Sequence, residues 1–548
     1  MGRYTRISIA NKILGSRLAT SGVISGRPIA QSGYDDGCFQ LARKWRDNCF
    51  NKHILTCLQP MKRPLPTRVI DVSPIDGPWE PRLKVTGCEE GEWVALSHCW
   101  GTKSRFVTAS SNIEASMCSI PLQDMPPTFQ DAVYTTRQLG YRYLWIDSLC
   151  IIQDDHQDWV VESTRMREYY KHAAITISCD SASGDDVGFL KHERKVETLS
   201  VILSSNDEVG FRQQVKWPKF QKRDTFVSER AWTLQEFVLS PRSLSYTSQQ
   251  IVWECHTRKY CESSENSLED SHLNQFWGTK RFFSALATSR QQVSKFGYVF
   301  HHLYRWYNLV NDYRLRDLTY GQDILPAISG IAREIRAQAG GTYLAGIWLE
   351  DIHRGLMWAM GGAGKIPETY HAPSWSWASL QISPDALNTV NFLYWMIRLS
   401  GTPLVERRAT LLSHEIIAED NDMFGCIRFG SLRLRGSSLL ARKWQGSYKG
   451  GLRTHFHQPI HLTSNQLIFQ LDVFDEKVEP LDVLANALLF QISSWKWDQD
   501  RPEVTLALLL VKVGDQPIET YRRVGMAEVP NVDGLAEEGW EMRDIRII

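Results

Sequence analysis

The sequence predicts an α/β protein in which a mostly parallel sheet with flanking helices is followed by a helical region and a β-rich C-terminal domain. Two observations predict the first part. Between about residues 68 and 260, short apolar runs alternate with stretches of helical periodicity, the pattern of a sheet covered on both faces. Several of those runs end on a polar residue, as strands do where they leave a buried sheet. A third observation predicts the remainder. Residues 263–395 are rich in helical periodicity and aromatics, whereas LRLRG, LIFQLDV, ALLFQI, VTLALLLVKV and WEMRDIRII follow as strand-like runs. The expected divisions are a flexible lead (1–36), a helical segment (37–67), the α/β domain (68–262), a helix-rich middle (263–395) and the β-rich domain (396–548).

Composition narrows the class of function. The 43% hydrophobic content, with 20 Trp, 19 Tyr and 21 Phe, is enough for several large cores and excludes wholesale disorder. Lys+Arg and Asp+Glu are both 62, so no global field draws in nucleic acid or anionic lipid, and no nucleic-acid partner is expected. The 11 cysteines are scattered, which fits a reducing compartment better than a disulfide scaffold. No run reaches the ~18 apolar residues of a membrane span. The basic lead (Arg3, Arg6, Lys12, Arg17, Arg27) lacks an apolar signal core. It is read as a basic tail on a cytoplasmic protein, with a mitochondrial transit peptide as the alternative.

Taken in order, Cys38–Leu58 is helical and sets Cys49, His53 and Cys57 at i, i+4 and i+8. A fourth ligand is not evident, so the three are read as buried packing and no metal is assigned. RVIDV, PRLKV and WVALS are strands. Thr128 is the expected N-cap of the next helix, with Asp131 as its capping-box partner and Gly140 at C′. LWID (144–147) is a strand, with Trp145 and Ile146 expected in the core. Asp158–Ala174 is a helix and ITIS (175–178) a strand. Ser228 caps a helix that Pro241 ends, and two further strands follow.

In a parallel sheet, ligands bind beyond the carboxyl ends of the strands. Here those ends are Ser97-His98, Asp147-Ser148 and Ser178-Cys179-Asp180. A His98–Cys99 nucleophilic pair is rejected, because neighbours on a strand point to opposite faces. Asp147 suits either a ligand carboxylate or a turn cap. Trp232 and Glu236 are four apart, placing an aromatic plane and a carboxylate on one helix face. That arrangement suits a substrate with a cationic ring and a sugar. The competing reading pairs Glu236 with Arg230 or Arg242.

The blocks ALSHCWG, TRQLGYRYLWIDSLCIIQDDHQDWVVESTRMREYYKHAAITISC and ERAWTLQEFVLSPRSLSYTSQQIVWEC, in this order, resemble the signature of the fungal heterokaryon-incompatibility (HET) domain. The resemblance covers about residues 68–260. It implies a cell-death effector or signalling module in non-self recognition, a homo-oligomer formed through this domain, and an incompatibility partner protein of unknown identity. HET domains are themselves remotely similar to Toll/interleukin receptor (TIR) domains, which implies a TIR-like fold. Trp232 and Glu236 match the Trp and Glu of the TIR W-C-x-x-E helix, with Thr233 in place of its Cys. The likeness implies Glu236 as the catalytic residue of NAD hydrolysis, with Ser97, Trp100, Asp147 and Trp232 around the substrate. NAD is then a substrate, and no cofactor or metal is implied. The alternative is a non-catalytic, self-assembling interaction module.

Overall fold

The computed structural model describes residues 7–11, 27–59, 61–72, 80–101, 106–194, 198–204, 207–213, 225–264, 280, 295–360, 364–382, 390–391, 404–443, 447–451, 466–472, 480–496, 504–515, 517–530 and 539–548. The chain forms two compact units, Met1–Gln292 and Val293–Ile548.

The first unit is organised around an eight-stranded sheet. Its strands are β1 (Arg68–Asp71), β2 (Arg82–Val85), β3 (Trp93–Ser97), β4 (Tyr143–Trp145), β5 (Ile175–Ser178), β6 (Arg242–Tyr246), β7 (Ile251–Cys255) and β8 (Lys259–Cys261), in the spatial order β8-β7-β6-β5-β3-β4-β1-β2. Pairing is parallel from β6 through β5 and β3 to β4. It is antiparallel at both margins. The expectation of a mostly parallel sheet is therefore corrected to a mixed one. At the β6–β8 margin the cause is loop length. Only residues 247–250 and 256–258 join β6, β7 and β8, and a parallel neighbour requires a crossover of roughly a dozen residues or more.

The parallel strands carry the site. In chain order they are β3, β4, β5 and β6, and in space β4-β3-β5-β6, a 2-1-3-4 arrangement. The chain leaves β3 toward one edge and β5 toward the other, so the topological switch point lies between their carboxyl ends. β3, β5 and β6 are buried at every residue, because helices cover the central strands. The helices that matter are α1 (Asp36–Lys52), α2 (Pro127–Gln138), α3 (His156–His172) and α4 (Trp232–Leu239). Trp145 and Ile146 are fully buried, Trp145 closing β4 and Ile146 lying one residue beyond it.

Three local expectations change. Ser228 lies within a short helix, Phe226–Glu229, capped by Thr225, and does not cap α4, which starts at Trp232. Helix α2 starts at Pro127, so Thr128 is not its N-cap. Asp131 instead accepts the Phe189 and Leu190 amides at 2.7 and 2.9 Å, while the Thr128 hydroxyl donates to the Gly184 carbonyl at 3.1 Å. Both side chains clamp the loop after β5 rather than the helix start. The basic lead is also structured in part. Ile7–Asn11 pairs with Asp207–Gln213, which also pairs with Thr198–Ser204, and Arg27 is buried and donates to the carbonyls of Cys261 and Ser264.

The second unit joins the helices α5 (Lys295–Tyr313) and α6 (Pro326–Ala339) to a nine-stranded sheet. Five of its strands (Ile427–Leu440, Leu488–Lys496, Val504–Gly514, Thr520–Pro530 and Glu541–Ile547) pair in a closed ring, which removes their edges. Trp306 and Trp377 both donate their indole N–H to the Gly346 carbonyl, at 2.9 and 2.8 Å. Gly346 has φ +99°, and a Cβ there would meet the Trp377 ring at 2.6 Å, so only glycine fits. Among the described residues, no helix is long and apolar enough to cross a membrane.

Candidate functional site

Helix α4 is short and buried on nearly every face, with only Trp232 half-exposed at its start. Polar residues in its middle are buried with it. Glu236 among them is 3% exposed, and its carboxyl is raised to about 7. Burial is the main cause and the neighbouring Asp147 charge adds to it, while Arg230, a hydrogen bond from Ser97 and His98 act in the opposite sense. Glu236 therefore adjoins Ser97, His98, Asp147 and Arg230. Tyr170, on α3, adjoins it too, and donates its hydroxyl to the Leu96 carbonyl at 2.9 Å.

Asp147 opens the turn directly after β4. One oxygen accepts the Ser148 amide at 2.7 Å and the other accepts the Trp100 indole N–H at 3.0 Å. The turn-cap use anticipated for this residue is thus present. His98 lies between two carboxylates, 3.8 Å from Asp147 and 3.2 Å from Asp185, with its ring edge-on to Phe129. Burial alone would hold the imidazole down, but Asp147 and Asp185 together outweigh it and raise it above its ordinary value. Arg230 donates to the His98 carbonyl. Arg242 binds Cys49, Ala174 and Leu58 instead, so Arg230 is the arginine that faces Glu236.

The five residues named from the sequence lie as follows. Ser97, Asp147 and Glu236 come together at the carboxyl ends of β3 and β4, and Trp100 is bound to Asp147. Trp232 is on the same helix as Glu236, one turn earlier. Sequence reasoning placed His98 at a strand end without a role in the site, and missed Asp185 and Tyr170. Asp185 carries no local signal, because it is held by a contact across the chain, its carbonyl accepting the Thr128 amide at 2.9 Å. Cys99 is buried with its thiol pushed up to about 12, which leaves no thiolate for nucleophilic attack near neutrality. Ser178 donates to Asp180 at 2.6 Å at the neighbouring strand end. The acids Asp147, Asp180, Asp185 and Glu236 thus outnumber the cations His98 and Arg230, with half-buried Trp100 and Trp232 nearby.

The first unit is thus a doubly wound α/β module with an acid-rich, aromatic-flanked cluster at its switch point. Residues 93–236 match the family model of the heterokaryon incompatibility protein (HET), a span that runs from the first residue of β3 to Glu236. The chain carries a HET domain. A curated relative, heterokaryon incompatibility protein 6, OR allele, of Neurospora crassa, is 24% identical over 201 residues. That likeness covers 29% of this chain and 29% of the relative, so the chain spans less than a third of the relative's length. No solved structure matches the chain.

Proposed function

We propose that this protein acts in heterokaryon incompatibility as a cell-death effector in non-self recognition, and that its α/β unit is TIR-like and hydrolyses NAD at Glu236. One observation carries the reading: the only acid of α4 meets Ser97 and Asp147 at the switch point of a 2-1-3-4 parallel array. The domain match and the relative's name support the biological role.

The chemistry asks little of the protein. The bond from C1′ of the ribose to the nicotinamide nitrogen breaks, and the bonding pair leaves with the cationic ring as neutral nicotinamide. Water then attacks C1′, giving ADP-ribose and a proton. No general acid is needed at the leaving group. Glu236 as the carboxylate stabilises the oxocarbenium-like centre. Asp147 and Asp185 add negative potential, Trp100 or Trp232 offers a stacking face, and Ser97 orients the Glu236 carboxyl. A residue near 7 suits this role, since it ionises within the working pH range.

A second reading has its own support. The near-complete burial of Glu236, with Ser97 and Tyr170 beside it, also suits an internal strut of a non-catalytic module that self-assembles. Expression of the wild type and Glu236→Gln in a host cell, with NAD and viability followed together, separates the two. The catalytic reading expects NAD loss and death from the wild type alone. Death without NAD loss, from both forms, establishes the assembly reading instead.

A further inference from the structure

The structure supplies what the Cys49, His53, Cys57 spacing lacked. We propose that Cys49, His53, Cys57 and Cys255 form a structural zinc site that clips α1 to the sheet margin at β7. Each residue offers one ligand atom, these atoms all lie within 4.8 Å of one another, and all four residues are buried. A tetrahedral zinc with sulfur at roughly 2.3 Å and nitrogen at roughly 2.0 Å sets its ligand atoms about 3.5–3.8 Å apart. His53 Nδ1 and Cys255 Sγ are 3.4 Å apart, close to that spacing.

The local fold aims the ligands inward. Cys49 is in the last turn of α1, and His53 is its C-cap, with its amide donating to the Cys49 carbonyl. The Thr56 and Cys57 amides both donate to the His53 carbonyl, at 3.1 and 2.9 Å, so the chain turns back and delivers Cys57. Cys255 ends β7, and the tight turn to β8 directs the Arg258 amide at its sulfur at 3.4 Å. The Thr257 hydroxyl lies 3.3 Å from the Cys57 sulfur. Donors gathered on sulfur are the surroundings of metal-bound thiolates.

A second observation is independent of the ligand geometry. Arg242 is 1% exposed, and its hydrogen bonds go to the Cys49 sulfur at 3.2 Å and to the Ala174 and Leu58 carbonyls. Among the described residues, no carboxylate pairs with it. A buried guanidinium without a counter-charge is costly, and three neutral thiols would not supply one. A dipositive ion with three thiolates and a neutral imidazole carries one net negative charge, directly beside Arg242. Binding releases the three thiol protons to solvent. With four protein ligands and no open position, the site is structural rather than catalytic.

The test is metal analysis of the full chain purified without chelator, together with the visible spectrum of its cobalt-substituted form. The expected result is about one zinc per chain and the intense absorption of tetrahedral thiolate-bound cobalt. Cys255→Ser should lose most of the zinc, while Cys426→Ser should keep it. Absence of both zinc and the cobalt spectrum in the wild type overturns the proposal. So does a native disulfide among Cys49, Cys57 and Cys255, or full zinc content in Cys255→Ser. If Cys255→Ser does not fold, the wild-type cobalt spectrum decides by itself.

Discussion

Replacing Glu236 with Gln should stabilise the first unit, and should do so far more at alkaline than at acid pH. The carboxyl is held at about 7 in the folded chain against 4.5 as its ordinary value. Gln keeps the size and most of the hydrogen bonding but has no proton to lose. Because the folded value is the higher one, the stability that comes from burying the neutral acid is complete below about 4.5 and is lost as the pH rises through about 7. A difference of 7 − 4.5 pH units, at roughly 1.4 kcal/mol each, amounts to about 3 kcal/mol. Glu236→Gln should therefore raise the unfolding free energy by about 3 kcal/mol at pH 8.5, and by less than about 1 kcal/mol at pH 5. Chemical denaturation of both full-length forms at the two pH values measures this. A variant equally destabilised at both would refute the reasoning, since it would mean that the folded chain holds Glu236 as a stabilised carboxylate.

Three further outcomes follow from the same structure. Ile146→Asp should cost several kcal/mol by placing an unpaired charge at a fully buried position, and thermal unfolding identical to wild type would contradict that placement. In the second unit, Arg523 is buried against Asp472 at 2.8 Å and lies over the Trp358 ring at 3.6 Å. Arg523→Ala should cost about 3–5 kcal/mol by orphaning Asp472, whereas loss of less than about 1 kcal/mol in urea unfolding would show the pair to be dispensable. NAD hydrolysis should rise with pH through about 7 as Glu236 ionises; a rate that falls over that range would exclude the carboxylate form as the active one.

The parts of this fold that were legible in the sequence are those set by local pattern. Apolar runs marked β3 and β4, and their polar ends marked Ser97 and Asp147, because a strand buried on both faces must change composition where it leaves the sheet. The Trp232–Glu236 spacing placed a carboxylate on α4, and its meeting with Ser97 was implied by the TIR likeness together with the strand-end rule. Contacts made across the chain left no such trace. The neighbours of Asp131 suggest a capping partner, yet it clamps a loop some sixty residues away. Cys255 is 202 residues from His53, and no spacing rule reaches that far. The antiparallel margins of the sheet were misjudged for a different reason. Apolar runs report burial, whereas strand direction at the β6–β8 margin depends on connection length.

The most direct test of the catalytic proposal is nicotinamide release from NAD by the purified full-length protein at pH 8, as isolated and when forced to assemble by a fused, ligand-driven dimerisation module. TIR-like modules are expected to work when assembled, so release should be measurable and should increase on forced assembly. Glu236→Gln should lower it by at least about 100-fold, the scale of removing one electrostatic contact to the developing charge. No release in any assembly state, or equal release from Glu236→Gln, would contradict the catalytic role of Glu236.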